Sequence, residues 1–220
     1  MKVENENRKF ISKNNVQLVG TVVRKFCPKS DVLILTVAVN GRGDKAHYPA
    51  VTFYGNAAKE INEHLGELSS NNRPRVRIEA TIQTRKREID GETRYYQDII
   101  GTSFEDAPTK LESVSGMRDL GTRKADSVNE VCIAGQVVNN YEIVKAGAPR
   151  PFGVILTIKT QDKRANFPHV VFFGAQARKA IACEIGDNVC TVGRIETRVV
   201  EKDGKKITQE SVGGEDIAIL

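Results

Sequence analysis

The chain has 220 residues, with 33 Lys and Arg against 28 Asp and Glu and a formal net charge of +5. That length allows one large domain or two of about 100 residues, each able to bury its own core. The mild positive excess is compatible with a polyanionic partner but does not demand one. None of the four cysteines (Cys27, Cys132, Cys183, Cys190) forms a C-x-x-C, and no histidine stands at zinc-ligand spacing from a cysteine pair, so neither a metal nor a disulfide framework is expected.

The N-terminal stretch MKVENENRKF lacks an apolar leader core, and no run of about 18 apolar residues follows. A soluble, cytoplasmic protein with no membrane contact is expected. The three histidines, His47, His64 and His169, offer few places for acid–base chemistry. The G-x-x-x-x-G-K-[ST], G-x-S-x-G and H-E-x-x-H patterns do not occur. No enzyme is indicated, and no cofactor.

In chain order, alternating apolar and polar residues predict strands over about 15–25, 32–40 and 47–54. A short helix follows over 56–68. Two more strands are predicted at 74–87 and 93–101, with Asp90-Gly91 between them as a hairpin turn. The stretch from about 104 to 128 lacks periodicity and reads as a linker, and Glu105-Asp106 is taken as a solvated part of it.

The same sequence of elements then returns. NNVQLVGTVV (14–23) reappears as NEVCIAGQVV (129–138), and YPAVTFYGNAAK (48–59) as FPHVVFFGAQAR (167–178). TRKREIDGETRYYQD (84–98) reappears as TRVVEKDGKKITQE (197–210), with Asp203-Gly204 at the matching turn and a second short helix over 175–185. Conserved order with small spacing changes in loop regions marks a duplicated domain. Three strands, a helix and a two-stranded hairpin form the element order of the OB-fold, a five-stranded Greek-key barrel. The expected fold is therefore all-β with one short helix per domain, as two tandem OB-folds. The division is a flexible N-terminus 1–12, a first domain 13–106, a linker 107–127 and a second domain 128–220.

Alternation along the third strand puts Tyr48, Ala50, Thr52 and Tyr54 on one face and Val51 and Phe53 on the other. The repeat places Phe167, His169, Val171 and Phe173 opposite Val170 and Phe172. If the Val and Phe pairs fill the barrels, two large rings per half face outward. They could stack bases, complete the core near a strand end or form a dimer contact. Basic side chains nearby are Arg24, Arg85, Lys86, Arg87 and Arg94, then Arg198 and Lys202 in the repeat. They would neutralise phosphates, or be no more than solvated hairpin tips.

On these stretches each half resembles the bacterial single-stranded DNA-binding protein family, over nearly the whole chain except its first dozen residues and the linker. The resemblance implies stacking aromatics at Tyr48, Tyr54, Phe167 and Phe173. It also implies a basic T-R-K segment at Thr84, Arg85 and Lys86, matched in part by Thr197 and Arg198. Many members carry a stacking Trp after T-R-K; here Arg87 and Val200 stand in its place, and the chain has no Trp. The family's long acidic-tipped tail is replaced by GGEDIAIL, so the usual means of recruiting protein partners is expected to be missing and those partners are unknown.

The implied function is sequence-nonspecific binding and protection of single-stranded DNA during replication, recombination or repair. A homodimer would give the four OB-folds that the family assembles. A protein-interaction accessory factor and an RNA-binding regulator remain alternative readings of the same residues.

Overall fold

A computed structural model of the chain describes residues 12–40, 45–69, 73–89, 91–107, 127–145, 151–161, 164–202 and 204–220. The first half contains β1 (Lys13–Lys29), β2 (Val32–Asn40), β3 (Ala46–His47), β4 (Ala50–Tyr54), α1 (Gly55–Leu65), β5 (Arg75–Ile89) and β6 (Glu92–Asp106). The second repeats it: β7 (Val128–Val144), β8 (Gly153–Gln161), β9 (Ala165–Asn166), β10 (His169–Phe173), α2 (Ala175–Ile181), β11 (Asn188–Lys202) and β12 (Lys205–Ile219).

In each half the first strand pairs with both the second and the hairpin strand, closing a barrel. The circuit is β1-β2-β4-β6-β5-β1 in one and β7-β8-β10-β12-β11-β7 in the other. All pairings within the barrels are antiparallel except β4–β6 and β10–β12. This is the OB-fold closure, and the protein consists of two such barrels in tandem. Alternation fills the interiors: Val51, Phe53, Val170 and Phe172 are buried as expected, together with Leu18, Leu35, Ile78, Ile133, Leu156 and Ile195. Phe53 packs against Gly101, and Phe172 against Gly214 in the repeat. A Cβ on either glycine would stand 2.2 Å or 2.1 Å from the ring, so only glycine fits there.

The third predicted strand is interrupted in both halves. Tyr48-Pro49 and Phe167-Pro168 fall between two strand pieces, because proline brings no N–H to the ladder. Its carbonyl still serves: Val37 N–H donates to Pro49 and Ile158 N–H to Pro168. Tyr48 and Phe167 therefore precede the strand instead of lying in it. The outer strands run further than the alternation suggested. Arg24 and Lys25 lie within β1, and Glu105-Asp106 closes β6 instead of opening a linker, paired in register with Arg77 and Val76. The turn glycines Gly91 and Gly204 have φ of 76° and 69°, as two-residue hairpin loops require; Asp90 and Asp203 lie outside the described residues. So do residues 1–11 and 108–126, which hold nearly all of the N-terminus and linker assigned from the sequence.

The two barrels share one sheet. β1 and β7 pair antiparallel from Lys13↔Ala134 to Val19↔Val128, making a twelve-stranded sheet. Asparagines from the NNV and NEV repeats extend the β1–β5 and β7–β11 pairings within each barrel. Asn14 bonds both backbone groups of Ile82 (2.7 and 2.9 Å), and Asn129 does the same for Ile195 (2.8 and 2.9 Å).

Candidate nucleic-acid interface

The outward face of β1, β2 and β4 is built by cross-strand neighbours. Phe26 lies opposite Ile34, and Ile34 opposite Thr52; Arg24 lies opposite Thr36, and Thr36 opposite Ala50. Side chains on one face of adjacent strands stand close enough to form a continuous surface. A groove of about 440 Å³ runs over it, walled by Arg24, Phe26, Ile34 and Tyr48 and bounded by Thr208 and Glu210 of the other half's hairpin. The first barrel's groove is thus built beside a strand of the other barrel.

The four rings named from the sequence, Tyr48, Tyr54, Phe167 and Phe173, are between 39 and 51% exposed. None completes a core. Sequence reasoning missed a third pair: Phe26 in β1 and Tyr141 in β7 occupy matching places in the repeat and are as exposed as the others. Their signal was present as an aromatic 12 residues after the Asn of NNV or NEV, but it lay beyond the quoted repeat. Tyr95 and Tyr96 add two exposed rings on the first hairpin.

The basic residues divide by what they touch. Arg24 lines the groove. Arg85 forms a two-point ion pair with Asp98, which together with Tyr54 nearby raises its pKa, so this guanidinium is already engaged. Lys86 stands 3.5 Å from Glu88 in the open, a weak pairing that leaves it free to exchange partners. Arg87 lies over the Tyr96 ring, 5.6 Å from its centre, in a cation–π contact. Arg198 donates to Gln209 (3.1 Å). The side chains of Arg94 and Lys202 lie outside the described residues. Lys25, beside Arg24, turns away to bond the carbonyls of Asn62 and Gly66 at the end of α1, where a cation suits the helix terminus.

The threonine of T-R-K has a different task in this structure. Thr84 Oγ1 accepts the Phe167 N–H (3.0 Å), and Thr197 Oγ1 accepts the Tyr48 N–H (2.9 Å). Each threonine so fixes the backbone of an aromatic in the opposite half. Thr84 N–H donates to Asn166 Oδ1 (3.3 Å), and Thr197 N–H to His47 Nδ1 (2.9 Å). Gln97 bonds both backbone groups of His169 (2.7 and 3.4 Å). In the mirrored place Glu210 accepts the Ala50 N–H at 2.7 Å. Burial, with Asp98 close by, pushes the Glu210 carboxyl up to about 7 despite that bond.

The two halves are not chemically equal. Lys86 is matched by Val199 and Arg94 by Ile207, both apolar and exposed. Arg24 is matched by Asn139, and Ala50 by His169, whose ring bonds Thr157 Oγ1 (2.9 Å) and whose burial lowers its pKa. The first half is the more basic at Arg24 and in the T-R-K segment, whereas the second hairpin has Lys202, Lys205 and Lys206 where the first has Ile89, Glu92 and Thr93.

No protein-family model matches the chain, and neither does any curated protein sequence. The fold is similar to two solved structures of the single-stranded DNA-binding protein from Thermus aquaticus. The wild-type protein aligns with a TM-score of 0.65 at 17% identity, over 95% of this chain and 93% of that one. A deletion mutant aligns with a TM-score of 0.63 at 17% identity, over 95% of both chains. At that identity the likeness establishes a shared two-barrel fold and nothing finer.

Proposed function

We propose that this protein binds single-stranded DNA without sequence preference, stacking bases on the rings of both barrels while basic side chains follow the backbone. One observation carries the reading. The same three outward aromatics recur in each half, Phe26, Tyr48 and Tyr54 in one and Tyr141, Phe167 and Phe173 in the other, although burying them would be worth more to a fold with no ligand. Every base has a π-face, so such rings accept any sequence, at roughly 1–3 kcal/mol per stacked base. That the structural neighbours are named as single-stranded DNA-binding proteins supports the same reading.

The strand held this way is shielded from re-pairing and cleavage during replication, recombination or repair, in the cytoplasm. Among the described residues no helix is long and apolar enough to cross a membrane. The first half is the stronger binder, because it carries the groove arginine and the full T-R-K segment. Two copies of the chain associate into a four-barrel homodimer. The binding step involves no cofactor and no bond making or breaking.

The test is fluorescence anisotropy of a labelled oligo-dT of about 35 nucleotides at two salt concentrations, with duplex DNA and RNA of equal length as competitors. Tight, salt-sensitive binding is expected, with duplex failing to compete and Y48A/F167A weakening it by at least tenfold, about 1.4 kcal/mol. Equal competition by duplex, with the double variant unaffected, would move the function to protein partners. Stronger competition by RNA would make the ligand RNA.

A further inference from the structure

Glu210 and Gln97 hold equivalent places in the repeat, and each reaches across the seam to the same backbone position of the opposite barrel. Gln97 is a neutral carboxamide and closes two bonds on His169. Glu210 is a carboxyl group, closes one bond on Ala50 N–H, and lines the first groove beside Arg24, Phe26 and Tyr48. When ionised it puts a fixed negative charge against the path of a polyanion, in a half-buried site where water screens poorly. When neutral it is nearly isosteric with glutamine.

We propose that Glu210 sets the first barrel's face apart from the second: a single strand settles firmly in the first groove only while this carboxyl is neutral, whereas the equivalent face of the second barrel, with Gln97 in the matching place, is indifferent. The inference rests on the single-strand reading above and deepens it. The surroundings of Glu210 leave its proton poised. From β1 the groove presents Arg24, and before β4 come His47 and Tyr48. From β6 comes Asp98, which is tied to Arg85. Across the hairpin, Arg198 is engaged with Gln209, and Glu196 with Arg194. No cation among these pairs with Glu210, while Asp98 and burial oppose its charge; the resulting pKa near 7 places the change in the physiological range.

The experiment is anisotropy with labelled oligo-dT at pH 6 and pH 8.5 and constant ionic strength, for the full chain and for E210Q. Thymine is chosen because it offers no exocyclic amino donor that could engage an ionised carboxylate. Phosphodiesters stay charged throughout, and the three histidines are common to both proteins, so the difference between the two slopes isolates Glu210. The unaltered chain is expected to bind roughly three- to tenfold more weakly at pH 8.5 than at pH 6. E210Q should hold its pH 6 affinity at both values, with a circular dichroism spectrum matching the unaltered chain. Parallel slopes in the two proteins, with oligo-dT bound by both, would overturn this inference alone. Failure of the unaltered chain to bind oligo-dT at any pH would overturn the single-strand reading with it.

Discussion

A buried carboxyl that must give up its proton to ionise weakens the fold that buries it. Glu210 has a folded pKa of about 7, against an ordinary value of about 4.3 in the unfolded chain. Between those values the folded protein holds the extra proton, so stability falls as pH rises. The contribution is fully present below about pH 4 and lost once pH has passed through 7. E210Q keeps an acceptor for Ala50 N–H and cannot ionise. It is therefore expected to unfold at a higher temperature than the parent at pH 8, by an equivalent of up to about 3 kcal/mol, and at nearly the same temperature at pH 4. Thermal unfolding followed by circular dichroism at the two pH values checks this; a destabilised variant at pH 8 would contradict it. None of this was legible in the sequence, where Glu210 is one of 28 acidic residues. Its raised proton affinity comes from burial first and then from Asp98 of the opposite barrel.

Single elements were easier to read than single residues. The alternation that separates Val51 and Phe53 from Thr52 and Tyr54 is a property of adjacent residues, and the buried and exposed faces follow it. The helices came out near their expected starts but ended early, at Leu65 and Ile181, since local periodicity runs on into the residues that turn back toward the next strand. The strand break at Tyr48-Pro49 follows from proline chemistry, a local property of the chain. The glycine opposite each core phenylalanine was not available, because register places Gly101 beneath Phe53 and register is a tertiary fact. Gly101→Ala is accordingly expected to cost about 1–3 kcal/mol by overpacking, because the ring in a closed barrel has no free volume to move into. Urea unfolding would show it as a lower midpoint with an unchanged slope. An unchanged midpoint would mean that the barrel relaxes there.

At the scale of the whole molecule, the proposed homodimer predicts a sedimenting species of twice the 24.3 kDa chain mass at micromolar concentration. A stable monomer there would remove the four-barrel assembly without touching the fold. Duplication, barrel class, core faces and four of the six repeated outward rings all followed from order, spacing and period, which are local or nearly local properties of a chain. How the halves meet did not follow. The β1–β7 seam, the threonines that anchor each other's aromatics, and the engagement of Arg85 by Asp98 all depend on groups brought together from distant positions. A one-dimensional pattern can say that a side chain is charged and faces outward. Only the packed structure decides whether that charge is already paired, which neighbour sets its proton affinity, and so which of two duplicated barrels has the freer hand for a ligand.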